Sequence, residues 1–282
     1  MKIRTAFPDV LKRQYPVVKP DVPLLTVLYL LRMTEVEAVP ITYDRGGKTR
    51  AVFGFSCLPK FMLLGPRRFR KLLEEPCENA SDEIASLSAD EDVETLLDTF
   101  ASRRLGFALV LRGGPARNRT GLITLADVLG LYARRIISSE LLVEDVATPG
   151  FSMPGSTPIR TALQAMFRYR YRRVFISERE CVSERNVMQY VFSPLILEEL
   201  GRSQGRDVLE TPIEKLDKTK PTVVPPYTTL RTAALKLRGD RGHCLIVGRG
   251  RIATPWDVVM KPWLTGKLRI EQRARRRASL ST

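Results

Sequence analysis

Apolar residues recur along this chain in a helical rhythm that restarts four times. Leu24-Leu25-Thr26-Val27-Leu28, Val93-Glu94-Thr95-Leu96-Leu97, Ile159-Arg160-Thr161-Ala162-Leu163 and Leu230-Arg231-Thr232-Ala233-Ala234 share one pattern, with threonine at the same place in each. Successive threonines lie 69, 66 and 71 residues apart, which is a period and predicts a fourfold repeat. Each helix is followed by a short run suited to a strand: Ala38 to Tyr43, Gly106 to Leu111, Val174 to Ser177 and Cys244 to Val247. Turn residues come next in three copies, at Asp44-Arg45-Gly46-Gly47, Arg112-Gly113-Gly114-Pro115 and Gly248-Arg249-Gly250. A second strand then ends in a hydroxyl residue, Ser56, Thr124, Ser183 or Thr254. The pattern predicts a second helix after it, clearest over Leu125 to Ile136 and Glu184 to Leu200.

From repeat threonine to strand-end hydroxyl the spacing is 30, 29, 22 and 22 residues. Long-turn copies are thus neighbours, as are short-turn copies, which predicts two pairs split near residue 148, at Ala147-Thr148-Pro149-Gly150. The expected organisation is a basic arm over 1–16, a pair over 17–147 (copies 17–75 and 76–147), a pair over 148–266 (copies 148–205 and 206–266) and a basic tail over 267–282. The fold class is α+β. Units this small cannot cover both sheet faces alone, so copies should mate. The rival reading is a generic α+β protein without true repeats.

Gly121-Leu122-Ile123-Thr124-Leu125-Ala126-Asp127-Val128-Leu129 is similar to the signature of CBS (cystathionine-β-synthase) domains: Gly, two apolar residues, Thr or Ser, two variable residues, then Asp. With the fourfold period, the chain resembles a double pair of β-α-β-β-α CBS repeats over Val17 to Lys261. That resemblance implies two pseudo-twofold pairs whose clefts hold AMP, ADP, ATP or S-adenosylmethionine as regulatory ligands. A carboxylate one turn after Thr can accept from two ribose hydroxyls, while the Thr hydroxyl and free helix amides face ribose or phosphate. Thr124 and Asp127 fit fully. Thr254 and Asp257 fit except that Arg251 stands where Gly is usual, either blocking a ligand or gripping its phosphate. The third copy offers Ser183 and Asn186, and the first has Ser56 followed by Pro59 with no carboxylate. Each Thr/Asp pair can equally be a helix cap with no ligand.

Charge adds a second theme. There are 46 Lys and Arg against 31 Asp and Glu, a net +15, which favours anionic partners. Arg168-Tyr169-Arg170-Tyr171-Arg172-Arg173 interleaves guanidinium groups with rings that could stack on exposed bases; a solvated helix end explains it as well. Lys267, Arg269, Arg273, Arg275, Arg276 and Arg277 form a basic tail, either an RNA-threading arm or a solubilising one. Further basic residues gather at Lys2, Arg4, Lys12 and Arg13 and at Arg67, Arg68, Arg70 and Lys71, while Glu74 to Asp98 holds ten acidic residues and no basic ones.

Enzyme chemistry finds little support. Gly46-Gly47-Lys48-Thr49 lacks the first glycine of a P-loop, since Thr42 stands there. His243 is the sole histidine, and Cys57, Cys77, Cys181 and Cys244 are dispersed, so no metal site is expected and buried thiols are the simple reading. No apolar run of about 18 residues is present, so no membrane span is expected. Met1 to Val10 has no leader-type apolar region, so a cytoplasmic location is expected. The sequence thus points to a non-enzymatic, adenylate-responsive CBS protein that docks on structured RNA, such as a ribosomal subunit, under energy stress. Two alternatives stand beside it: a regulatory subunit of a kinase, enzyme or transporter, and a DNA-binding regulator. A homodimer through the CBS pairs is a further expectation.

Overall fold

Each repeat threonine is the third residue of a helix. In the computed structural model the helices are Leu24–Thr34, Val93–Arg103, Ile159–Tyr169 and Leu230–Gly239. The structure describes residues 1–10, 15–34, 36, 38–42, 50–53, 70–111, 120–169, 172–201, 207–239 and 244–271. All four helices bury positions 1, 4, 5 and 8: Leu24, Val27, Leu28, Leu31; Val93, Leu96, Leu97, Phe100; Ile159, Ala162, Leu163, Met166; and Leu230, Ala233, Ala234, Leu237. That is the i, i+3, i+4, i+7 stripe of an amphipathic helix, and the threonines sit on its exposed side. The period therefore records a fixed helix phase.

Small mixed sheets follow the helices. In the second copy Ser86–Ser88 runs parallel to Phe107–Leu111, which pairs antiparallel with Thr120–Thr124. In the fourth, Thr222–Val224, Leu245–Val247 and Arg251–Ala253 repeat that order, and Thr148–Pro149 adds an outer strand. The first copy has Ala38–Ile41, Arg50–Phe53 and Asp82–Glu83, and the third has Arg173–Phe175 with Cys181–Ser183. Second helices occupy Leu125–Ala133, Glu184–Val191 and Pro255–Leu264. Ser56, Pro59 and the first copy's second helix fall outside the described residues, as do the turns at 44–47 and 112–115 and the Gly46-Gly47-Lys48-Thr49 stretch. The helix expected over Glu184 to Leu200 is two, because Pro194, which cannot supply the N–H that continues a helix, starts a new one, Pro194–Gly201.

Two compact bodies result. One joins 1–14, 85–150 and 221–282; the other joins 15–84 and 151–220. This differs from the expected division into 17–147 and 148–266: each body takes the helices of alternate copies. Turn length registers how alike two copies are, whereas bodies form where apolar helix stripes interleave. In the first body the Leu125–Ala133 and Val93–Arg103 helices share a core with Leu230–Gly239 and Pro255–Leu264, through Leu96, Phe100, Val128, Ala233, Leu237 and Val259. In the second, Leu28, Leu31, Leu163, Met166, Val187 and Phe192 form the counterpart.

Neighbouring copies also exchange their lead-in segments. The residue before each long helix makes an isolated β-bridge to a lead-in segment, at Lys2↔Asp92, Pro23↔Pro76, Leu142↔Thr229 and Pro158↔Pro212. A short helical turn follows each bridge: Ile3–Ala6, Cys77–Ala80, Val143–Val146 and Ile213–Lys215. The segment ahead of the first copy thus packs on the second, and the one ahead of the second packs on the first. The third and fourth copies trade in the same way. The arm expected over 1–16 is, over its described part, folded structure, with Ile3, Ala6, Phe7 and Val10 buried.

Candidate ligand site

Thr124 ends the second strand of its copy in extended backbone and opens the Leu125–Ala133 helix. Its backbone N–H and its hydroxyl both donate to Asp127 Oδ2, at 3.0 and 2.9 Å, and the Asp127 N–H donates to Thr124 Oγ1 at 3.4 Å. This is a capping box, in which cap and third helical residue satisfy each other's amides. Thr254 and Asp257 repeat it at 2.9, 2.7 and 3.3 Å. Ser183 and Asn186 do so at 2.8, 2.6 and 3.3 Å. All three pairs are therefore caps, and they differ in what lies over them.

In the fourth copy the pair is sealed. Lys261 Nζ sits 3.1 Å from Asp257 Oδ1 and also donates to the Val146 carbonyl. Arg251, in the position usual for glycine, donates to the Ala147 carbonyl at 2.6 Å, while Arg251 and Ile252 pair with Pro149 and Thr148. Asp257 is only 5% exposed. Both its oxygens are engaged within the fold, and Arg251 grips the lead-in segment. In the third copy Thr219 plays the covering part: it bridges Cys181, and its hydroxyl donates to Asn186 Oδ1 at 3.4 Å.

The second copy is open. A cleft of about 170 Å³ lies beside Asp127, lined by Phe7, Pro8, Asp9, Val10, Ala126, Gly130, Arg134 and Arg238. Arg134 stands two helical turns after Asp127 on the same face, with Nη2 donating to the Ala6 carbonyl. Arg238 arrives from the fourth copy's long helix, and a Cβ added at Gly130 would lie 3.6 Å from its Cζ. Two guanidinium groups, a carboxylate and a capped helix start thus converge on one cleft. Arg134 is legible in the sequence from its spacing to Asp127, whereas Arg238 is 111 residues from Asp127 and only tertiary packing brings it there.

The basic stretches divide. Arg168 is exposed, its guanidinium carbon 5.6 Å from the Tyr169 ring centre. Arg172 pairs with the buried carboxylate of Glu184. Arg173 opens the Arg173–Phe175 strand, which is buried along its whole length, and its 7% exposure corrects the expectation that it meets RNA. Arg170, Tyr171, Arg273, Arg275, Arg276 and Arg277 lie outside the described residues, as do Lys12, Arg13, Arg67, Arg68, His243 and Cys57. Lys267 is exposed, and Arg269 is 3.0 Å from Glu140. Lys2 and Arg4 pair with Asp92 and Asp90 at 3.1 and 2.9 Å. Cys77, Cys181 and Cys244 are buried thiols. Among the described residues no group of three or more His, Cys, Asp or Glu side chains is placed to hold a metal, and no helix is long and apolar enough to cross a membrane.

No family model matches this chain, and no curated protein matches it in sequence. Solved structures do. A Methanocaldococcus jannaschii protein, proposed to be an archaeal homologue of g-AMPK, superposes with a TM-score of 0.78 at 16% identity, covering 93% of this chain and 100% of that one. An uncharacterised conserved protein from Pyrococcus horikoshii gives 0.46 at 13% identity over 79% and 89% of the two chains. A conserved CBS domain protein of Thermoplasma acidophilum gives 0.36 at 17% identity over 45% and 67%.

Proposed function

We propose that this chain, which shares the fold of the M. jannaschii protein and carries four CBS-type repeats, is a non-enzymatic regulator that binds an adenine nucleotide at the second copy. The observation that carries this reading is the contrast among the three described caps: Asp257 and Asn186 are covered by the fold, while Asp127 borders a cleft with Arg134 and Arg238. Two guanidinium groups suit a phosphate, to which each can donate in bidentate fashion. They disfavour the sulfonium of S-adenosylmethionine, so AMP, ADP or ATP is the assigned ligand class. The g-AMPK relationship proposed for the M. jannaschii protein agrees in chemistry.

Calorimetric titration of AMP, ADP, ATP and S-adenosylmethionine against the wild type, Asp127→Ala and Asp257→Ala tests the assignment. Nucleotide affinity should fall at least tenfold in Asp127→Ala and stay unchanged in Asp257→Ala. Equal affinity in all three proteins would return Asp127 to a purely capping role.

For the partner we propose structured RNA, with a ribosomal subunit as the concrete target. Support comes from the net +15 charge and from exposed Arg168, Lys267 and Arg269. Cosedimentation with ribosomal subunits should weaken steeply between about 50 and 200 mM salt, as counterion release requires. A complex insensitive to salt would point to a protein partner, and duplex DNA outcompeting ribosomal RNA to a DNA-binding regulator.

A further inference from the structure

Three of the four lead-in segments add a β-pairing to the second strand of a copy. Asp82–Glu83 pairs with Arg50–Phe53, Thr148–Pro149 with Arg251–Ala253, and Thr219 with Cys181. The segment over 3–10 is different. Among the described residues it makes no ladder with Thr120–Thr124, and Phe7, Pro8, Asp9 and Val10 instead form one wall of the Asp127 cleft. Gly121 stands where the fourth copy has Arg251, so the side chain that pins the corresponding segment there is missing.

What this segment offers to the cleft is a set of acceptors. The Ala6 carbonyl takes a hydrogen bond from Arg134, and the acidic residue Asp9 lines the same cleft as Arg134 and Arg238. These are the charges and lone pairs that a phosphate would bring. About 170 Å³ is also less than the roughly 300 Å³ at the low end of small-molecule sites, so a whole nucleotide needs the space that Phe7 to Val10 fill.

Resting on the nucleotide reading above, we propose that residues 3–10 are an autoinhibitory strap: its Ala6 carbonyl holds Arg134 in place of the ligand's phosphate, its 7–10 stretch fills the space the nucleotide needs, and nucleotide binding lifts it from the cleft. The strap is held from outside the cleft. Ile3 N–H donates to the Glu91 carbonyl at 2.8 Å and Arg4 N–H to the Ala89 carbonyl at 2.9 Å. Ile3 is fully buried, and the Lys2–Asp92 and Arg4–Asp90 pairs lie at the surface. Ligand occupancy and strap seating then oppose each other, and each weakens the other by the same factor.

Hydrogen exchange with and without saturating AMP or ATP, read by NMR at the Ile3 and Arg4 amides of the full chain, tests the coupling. Nucleotide should speed exchange there at least fivefold. Ile3→Ala, and separately the milder Arg4→Ala, neither of which is among the residues lining the cleft, should tighten AMP and ATP binding, about tenfold and about threefold respectively. Binding by a strap variant alone, with none by the wild type, is the strongest form of the same result. If nucleotide binds the wild type yet exchange at Ile3 and Arg4 and affinity in both variants are unchanged, the strap is a fixed part of the fold and the ligand reading stands. If neither wild type nor variants bind AMP or ATP, the ligand reading falls and the strap with it.

Discussion

The Tyr132 hydroxyl donates to the Val258 carbonyl at 3.0 Å, and that carbonyl is the one Pro262 leaves without a helical donor. Residue 262 of the Pro255–Leu264 helix would ordinarily supply an N–H to residue 258, and proline has none. Tyr132, on the second copy's helix, is 1% exposed and replaces the missing donor. Burial raises its phenol well above the ordinary range, so it remains a donor throughout the accessible pH range.

Tyr132→Phe should therefore cost about 1–3 kcal/mol, the penalty of a buried carbonyl left unsatisfied. Pro262→Ala restores the backbone N–H, and in that background the same change should cost clearly less. Urea unfolding of the four proteins in a double-mutant cycle measures the difference, and equal costs in both backgrounds would refute the relationship.

Asp257 and Asp127 should separate by stability as well as by ligand. Asp257→Ala removes a cap and leaves the Lys261 ammonium beside the Val146 carbonyl without its carboxylate, a loss of about 2–3 kcal/mol. Asp127→Ala removes a cap and should cost about 1 kcal/mol. Denaturant midpoints decide, and adding Lys261→Met should recover part of the loss in the first case alone.

The hydrogen bond from Lys2 holds the Asp92 carboxyl below the usual carboxylate range. A depressed carboxyl stabilises the fold above its unfolded-state pKa, and that contribution disappears as pH falls through the folded-state value. Wild type should thus lead Asp92→Asn in thermal midpoint at pH 5 to 7, and the lead should vanish as the pH drops below about 4. A lead that persists at pH 2 would remove Asp92 from strap anchoring.

Burial pushes the Cys77 thiol from an ordinary 9.0 up to about 11. Its sulfur lies 3.4 and 3.6 Å from the Lys19 and Pro20 carbonyls. A thiol raised in the folded state adds nothing against stability below pH 9, where both states are protonated. Between about 9 and 11 the unfolded chain loses its proton first, so stability should fall with rising pH by about 1 kcal/mol per unit. Cys77→Ala should lose that extra slope when unfolding is followed from pH 8 to 11.

Helix phase was the most legible property of the sequence. Leu24, Val93, Ile159 and Leu230 begin helices and are fully buried, because an apolar stripe read off the chain is the face the helix must hide. Thr124 and Asp127 were legible too, since their cap is local and spans three residues. Arg238 was not, because nothing in the chain near Asp127 encodes a helix from another copy. The arginine run misled for a related reason: Arg168 lies in the last turn of a helix and Arg173 begins a strand, so a continuous charge pattern does not make a continuous face. Pro194 was visible as a helix breaker and should have divided Glu184 to Leu200.

The exchange of lead-in segments makes the polypeptide pass from one body to the other four times, near residues 14, 84, 150 and 220. The molecule is laced rather than strung like beads. A protease that severs one passage leaves three, so the chain still links the two bodies. No single cut can release an autonomous half, so partial digestion should leave noncovalently joined fragments that elute together.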